Sequence, residues 1–194
     1  RHQREHERVP LEPGIAFPFI QRLIGLNELR PGDPLAEVVL LSRNDANSGL
    51  RIMNSIKHHG LGDITRAVFT RGHHPYDYLK PLRAHLFLSA NEPDVRAATA
   101  AGHPAGLVLG RPPSDPPGST GNEFRIAFDF DGVIADDAAE RVYQQSESLQ
   151  AFFASEVDQA FRPHAPGPLK PLLDQLGHIQ ALEVQRRRQD PTYE

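Results

Sequence analysis

The apolar residues of the first half fall into short clusters that alternate between two spacings. Phe17, Ile20, Leu23 and Ile24 recur at helical intervals, with Asn27 on the same stripe. This predicts an amphipathic helix within residues 10–27, and Pro18 suits its first turn, where a missing N–H costs nothing. A turn follows at residues 30–34. Residues 38–41 are a short β-branched run that reads as a buried parallel strand ending at Ser42. Residues 45–59 predict a helix with Leu50, Met53, Asn54 and Ile56 on one side and Gly60 as its stop. Further strands are predicted at 67–69, 85–88 and 106–109. A loop of Gly, His, Pro and Tyr spans 70–78, and a helix over 93–101 ends at Gly102. Short buried strands alternating with helices predict an α/β fold, a mostly parallel sheet flanked by helices.

The second half is less regular. Residues 111–122 are dense in Pro, Gly and Ser and read as a linker. A strand is predicted over 124–130 and a helix over 138–153. The end, residues 183–194, is charged and offers no core face of its own. The chain also repeats itself at a constant offset of 153 positions: Pro10, Pro13, Gly14, Pro18 and Leu23 recur as Pro163, Pro166, Gly167, Pro171 and Leu176. On that register the strand at 38–41 has its counterpart near residue 191. The chain is therefore read as carrying an incomplete second copy of its first unit, cut short at Glu194.

Charge and composition narrow the function. Lys and Arg number 21 against 25 Asp and Glu, a net charge of −4. A mildly acidic chain has no electrostatic reason to bind bulk nucleic acid or an anionic membrane. The absence of cysteine excludes a disulfide scaffold, a thiol nucleophile and a Cys-based metal centre, and it fits a reducing compartment. No apolar run approaches the roughly 20 residues of a membrane span, and the charged start, residues 1–8, does not read as a signal peptide. The histidine pairs at 58–59 and 73–74 are adjacent, not spaced by four to share one helix face. Nothing in the sequence sets an oligomeric state.

The sharpest chemical signal is Phe128-Asp129-Phe130-Asp131-Gly132-Val133. Two carboxylates at i and i+2 of a strand share one face, at the edge where open α/β sheets bind ligands. Hard oxygen ligands this close invite a divalent cation such as Mg²⁺. Gly132 lets the backbone turn closely around a phosphate.

Asp129-Phe130-Asp131-Gly132-Val133 resembles the first motif of the haloacid dehalogenase (HAD) superfamily of phosphatases. Residues 13–19, 41–45, 54–56, 86–91 and 167–170 together resemble the cytosolic 5′-nucleotidase type I family, over about residues 6–180. That resemblance implies Mg²⁺-dependent hydrolysis of nucleoside 5′-monophosphates such as AMP, in the cytoplasm. It implies Asp129 as the nucleophile that forms an aspartyl-phosphate, and Asp131 as the acid and then base. Both would serve the metal. It also implies a strand-end hydroxyl, a balancing Lys and a further acidic pair. The first half echoes these with Ser42, Lys80 and Asp94, but Ala90 stands where the acidic pair should begin.

On this reading residues 9–110 are a degenerate HAD-like half, 111–122 a linker, and 123–194 the start of the catalytic half with a cap-like stretch at 136–161. The alternative reading is a non-catalytic nucleotide-binding or interaction module. A speculative variant brings Asp129 and Asp131 against Ser42 and Lys80 in one permuted sheet.

Overall fold

The computed structural model describes residues 9–110, 124–136, 157, 164–190 and 192–193, with the side chains of Asn47 and Asp131 left out. The first helix, α1, spans Phe17–Gly25, with Pro18 in its first turn as the sequence predicts, and continues as a 3₁₀ turn over Leu26–Leu29. Then follow β1 (Val39–Ser42), α2 (Ala46–His58) and β2 (Arg66–Phe69). After a 3₁₀ turn at Pro75–Tyr78 come the single-turn α3 (Leu79–Leu82), β3 (Phe87–Ser89), α4 (Glu92–Ala100) and β4 (Ala105–Leu107). The last described helix is α5, Lys170–Gln189.

The strands form two parallel ladders. In one, Val39, Leu40, Leu41 and Ser42 face Arg66, Ala67, Val68 and Phe69. In the other, Phe87, Leu88 and Ser89 face Ala105, Gly106 and Leu107. The architecture is thus mixed α/β with parallel pairing, although as two short ladders where the sequence predicted one larger sheet. Leu41 joins them, since it packs from β1 against the second core of Leu79, Phe87 and Ala98. The first core is Ile56, Leu61 and Ile64, covered by Phe17, Ile20 and Ile24 of α1 and by Ile52 and Met53 of α2. Each such side chain contributes about 1.5–3 kcal/mol when fully buried, so these two clusters hold the ladders to their helices.

Helix α2 turns Met53 and Ile56 inward as the sequence suggests, but not Leu50. Leu50 is 48% exposed. The inward stripe is Gly49, Ile52, Met53 and Ile56, because the Phe69 ring of β2 lies over Gly49. A Cβ at Gly49 would meet the ring Cζ at 2.5 Å. The helix starts at Asp45, whose carboxylate accepts from Ser48 N at 2.7 Å, and stops at Gly60, where φ is +73°.

One expectation changes. Residues 124–129 do not form a strand, because among the described residues no neighbouring strand takes their N–H and C=O groups; Ile126 is correspondingly 36% exposed. The charged end adds no buried residue among the described ones, as expected: α5 runs on through Arg186, Arg187 and Arg188, Val184 is 48% exposed, and the side chain the helix buries is Ile179, ahead of that segment. Its three arginines crowd the C-terminal turn, where the helix dipole favours cations. The helix closes at Asp190, whose carboxylate accepts from Thr192 Oγ1 at 2.6 Å and Thr192 N at 3.1 Å. The Thr192 hydroxyl, then its N–H, and Arg186 beside them hold the Asp190 carboxyl below its ordinary range. Elsewhere, the hydrogen bonds that the Arg66 guanidinium donates to the Glu37 carboxylate hold it still more firmly protonated. The strand expected near residue 191 falls on a position outside the described residues. The linker at 111–122 and the helix over 138–153 lie outside the described residues.

The repeat is structural. Both helices begin at the same place in the register, α1 at Phe17 and α5 at Lys170. Phe17 N donates to Gly14 O at 3.0 Å, and Lys170 N to Gly167 O at 3.2 Å. Ala16 (φ −78°, ψ −3°) and Leu169 (φ −89°, ψ 1°), the flanking residues, have similar backbone angles and offer no side-chain cap. Shared sequence here means a shared Pro–Gly turn that starts a helix.

Two substitutions test the α2 packing. Gly49→Ala forces the Phe69 ring aside and should lower unfolding stability by about 1–3 kcal/mol in urea titration. Leu50→Ala, on the outer face, should stay within about 0.5 kcal/mol of the parent.

Candidate active site

Residues 124–136 reach the site from a fixed point. The Phe124 ring packs on Phe19 of α1 at 5.3 Å. The chain then runs extended to Asp129, which caps a π-helical turn over Phe130–Ile134. Asp129 Oδ1 accepts from Phe130 N at 2.8 Å, and Ala135 N closes the turn on Phe130 O at 2.9 Å. Single π turns are rare and occur frequently at functional sites. Gly132 sits in the turn at φ +70°, a conformation that costs other residues strain, which explains the glycine in this motif. Its N–H points at Asp136 O at 3.4 Å.

The face-sharing argument for Asp129 and Asp131 therefore loses its strand. Asp129 lies at the mouth of the turn and Asp131 inside it. Asp129 is exposed, and among the described residues its carboxylate takes only the Phe130 bond, on Oδ1. That is the state a nucleophilic or metal-binding carboxylate needs. Among the described residues no group of three His, Asp or Glu side chains converges to hold an ion. Asp129 supplies a hard oxygen of the kind Mg²⁺ takes, and the carbonyl-rich turn beside it offers more of the same chemistry.

The turn is held from one side by the second Pro–Gly copy. Ala135 and Pro166 form an antiparallel bridge. Asp136 N donates to Ala165 O at 2.9 Å, Gly167 N to Ile134 O at 2.9 Å and Leu169 N to Val133 O at 3.4 Å. The His164 ring stands edge-on to Phe130 at 5.8 Å, and its Nδ1 is 3.7 Å from Asp136 Oδ1. That Asp136 oxygen is buried and has no hydrogen-bond partner among the described residues. Sequence reasoning passed over His164 and Asp136. The repeat could have pointed to them, since it places His164 one residue past the start of the second Pro–Gly copy.

The other sequence-predicted residues lie in the first half, at the C-terminal ends of β1 and β3. Ser42 Oγ accepts from Asn44 N at 3.2 Å, and Ser89 Oγ accepts from Asn91 N at 3.0 Å. The two strands thus end in the same Ser-x-Asn turn. Asp94, the remnant of the acidic pair, is buried and held by Arg43 through both carboxylate oxygens, with Arg43 Nε to Oδ2 at 3.3 Å. Arg43 Nη2 also meets His74 Nδ1 at 3.3 Å, and His74 stacks on Tyr76 at 5.0 Å. An arginine thus occupies the carboxylate that a metal would need. Lys80 is exposed on α3 and has no ion-pair partner among the described residues. No hydrogen bond or ion pair among the described residues joins Asp129 to Ser42 or Lys80.

An open groove of about 900 Å³ lies elsewhere, between α1, the turn at Arg30 to Glu37, and the loop before β2. It opens at the opposite ends of β1 and β2 from Ser42 and Arg43, so it is not the motif's site. Among the described residues no helix is long and apolar enough to cross a membrane.

The Arg43–Asp94 pair is asymmetric, with Asp94 buried and Arg43 43% exposed. Arg43→Ala leaves a buried carboxylate without its cation and should cost about 3–5 kcal/mol. Asp94→Ala leaves a guanidinium that water can solvate and should cost less. Urea unfolding of the two variants gives the order.

Comparison with known proteins follows the motif. The family model described as 5′-nucleotidase matches residues 1–193. Human cytosolic 5′-nucleotidase 1B is 33% identical over 184 residues, which is 92% of this chain. The chain spans about 30% of the length of that relative. No solved structure matches.

Proposed function

Because the chain belongs to the 5′-nucleotidase family, we propose that it carries the nucleophile-bearing part of a Mg²⁺-dependent nucleotidase acting on nucleoside 5′-monophosphates, AMP among them. The observation that carries this reading is the exposed Asp129 carboxylate at the mouth of a glycine-containing turn, fixed through Oδ1 and with no second partner among the described residues.

In this reading Asp129 Oδ2 attacks phosphorus, and the bond from phosphorus to the ribose 5′-oxygen breaks. Asp131 gives its proton to that oxygen as the nucleoside leaves. Water then attacks the aspartyl-phosphate, Asp131 takes the proton back, and the phosphorus–Asp129 bond breaks to release inorganic phosphate. One hard displacement becomes two easier ones. The Asp129 carboxylate and the Asp131 backbone carbonyl would hold Mg²⁺, which would supply charge neutralisation for the phosphoryl oxygens. Phosphoryl transfer depends mostly on positioning and electrostatics, so the rigidity of the turn matters as much as the carboxylates. Gly132 keeps the turn narrow enough for a phosphate to approach.

The same reading makes the turn a HAD-like first motif and the stretch at 136–161 a cap, tethered where Asp136 N meets Ala165 O. Residues 9–110 are then a degenerate half, and a cytoplasmic setting follows the printed name of the human relative. The Ser42 rim contributes little in this account, because Arg43 closes Asp94 and the Ser42 hydroxyl is turned to Asn44. The competing reading, a nucleotide-binding module without turnover, draws on Ala90 and on that closed rim.

Asp129→Asn keeps the turn's cap and removes the nucleophile. Mg²⁺-dependent phosphate release from AMP should fall by about 10³-fold or more, with AMP binding by calorimetry retained. Release of phosphate by the variant at the parent rate rejects the role of Asp129. Binding without turnover by the parent chain favours the module.

A further inference from the structure

The two copies of the Pro–Gly turn are alike in sequence and unlike in surroundings. Gly14 and Gly167 occupy equivalent places, three residues before α1 and α5, and neither backbone is in the left-handed region. Alanine is therefore conformationally acceptable at both. A Cβ on Gly14 would meet nothing within 4 Å. A Cβ on Gly167 would fall 2.5 Å from the carbonyl oxygen of Ala135, and would press on that of Val133 as well. Both obstacles are backbone of the segment that carries the motif turn, so neither can swing away as a side chain would.

We propose that Gly167 is a positioning residue for the Asp129 turn, and that the second Pro–Gly copy, besides starting α5, serves as a clamp. The first copy rests on α2, where Leu11 N donates to Ser55 Oγ at 2.9 Å and the Leu11 carbonyl lies 2.7 Å from His59 Nε2. The second rests on the motif segment. Gly167 N, Asp136 N and Leu169 N all serve backbone groups there or link to them, with Ala135 bridged to Pro166. Only a residue without a side chain allows so close an approach of two backbones. The clamp fixes Ile134 and Ala135, and these fix the turn through Ala135 N on Phe130 O, directly beside the Asp129 cap. His164 braces the same turn through its edge-on contact with Phe130. The proposal rests on the reading of Asp129 as nucleophile for its catalytic consequence, and not for the clamp itself.

The test compares Gly167→Ala with Gly14→Ala in the 194-residue chain. Two readouts are taken: amide hydrogen exchange at residues 136 and 167, and steady-state phosphate release from AMP with Mg²⁺. Gly167→Ala should speed exchange at both amides by about tenfold or more, and lower kcat by about tenfold while KM shifts less than about twofold, because misplacing a nucleophile costs the transition state and not substrate binding. Gly14→Ala should leave exchange and kcat as they were. If Gly167→Ala fails to fold, His164→Ala, which loosens the brace without crowding it, should show the same split at smaller size. Unchanged exchange and kcat in a folded Gly167→Ala chain overturn the proposal, as does an equal loss in Gly14→Ala. With Gly167→Ala unfolded, an unaltered His164→Ala chain overturns it too. If the parent chain shows no turnover, the function reading fails alone, and the exchange comparison still decides the clamp.

Discussion

A backbone that leaves a sheet must find partners for its N–H and C=O groups elsewhere, and the motif segment answers that demand in an unusual way. Residues 124–129 have no strand beside them among the described residues, so the motif cannot be held as the end of a sheet strand. Instead the turn over Phe130–Ile134 closes on itself, and the residues after it bond to the stretch from His164 to Leu169. The position of the Asp129 carboxylate follows from those few backbone bonds. Each is worth only about 0.5–1.5 kcal/mol, so the arrangement holds because several act together on one short segment.

The first half solves a similar problem with side chains. Its strands are paired, and the groups at their ends are satisfied locally: Ser42 by Asn44, Ser89 by Asn91, and Asp94 by Arg43. A rim in which every acceptor is already engaged has little left for a ligand. The turn over Phe130–Ile134 is the reverse, with one Asp129 oxygen fixed and no partner for the other among the described residues. That contrast places the accessible acidic chemistry of the described residues at the turn and not at the rim of the strands.

Much of the first half was legible in the sequence. The run at 38–41 and those at 67–69, 85–88 and 106–109 all mark strands that exist, displaced by a residue or two, because β-branched and aromatic clusters bounded by polar turns leave few other options. On α2, Met53 and Ile56 were placed correctly and Leu50 was not, since a glycine gives no hydrophobic signal and Gly49 is where Phe69 seats. The motif was found by its residues, but its geometry was not: an apolar run at 124–130 reads as a strand, and only knowledge of its neighbours shows that no ladder receives it. The repeat located Gly167 at the head of a helix. Its contact with Val133 and Ala135 depends on how distant segments meet, and no local pattern encodes that. Arg43 and Asp94 are 51 positions apart, which hid their pairing in the same way.

The claim at the centre of this account is that Asp129 becomes covalently bonded to phosphorus during turnover. Acid quenching of the chain during steady-state reaction with Mg²⁺ and AMP, followed by peptide mass spectrometry, reads this directly. The account predicts the mass of one phosphoryl group on Asp129, lost on treatment with hydroxylamine. Phosphate release with no phosphoryl group on Asp129, or with one on another residue, would contradict it.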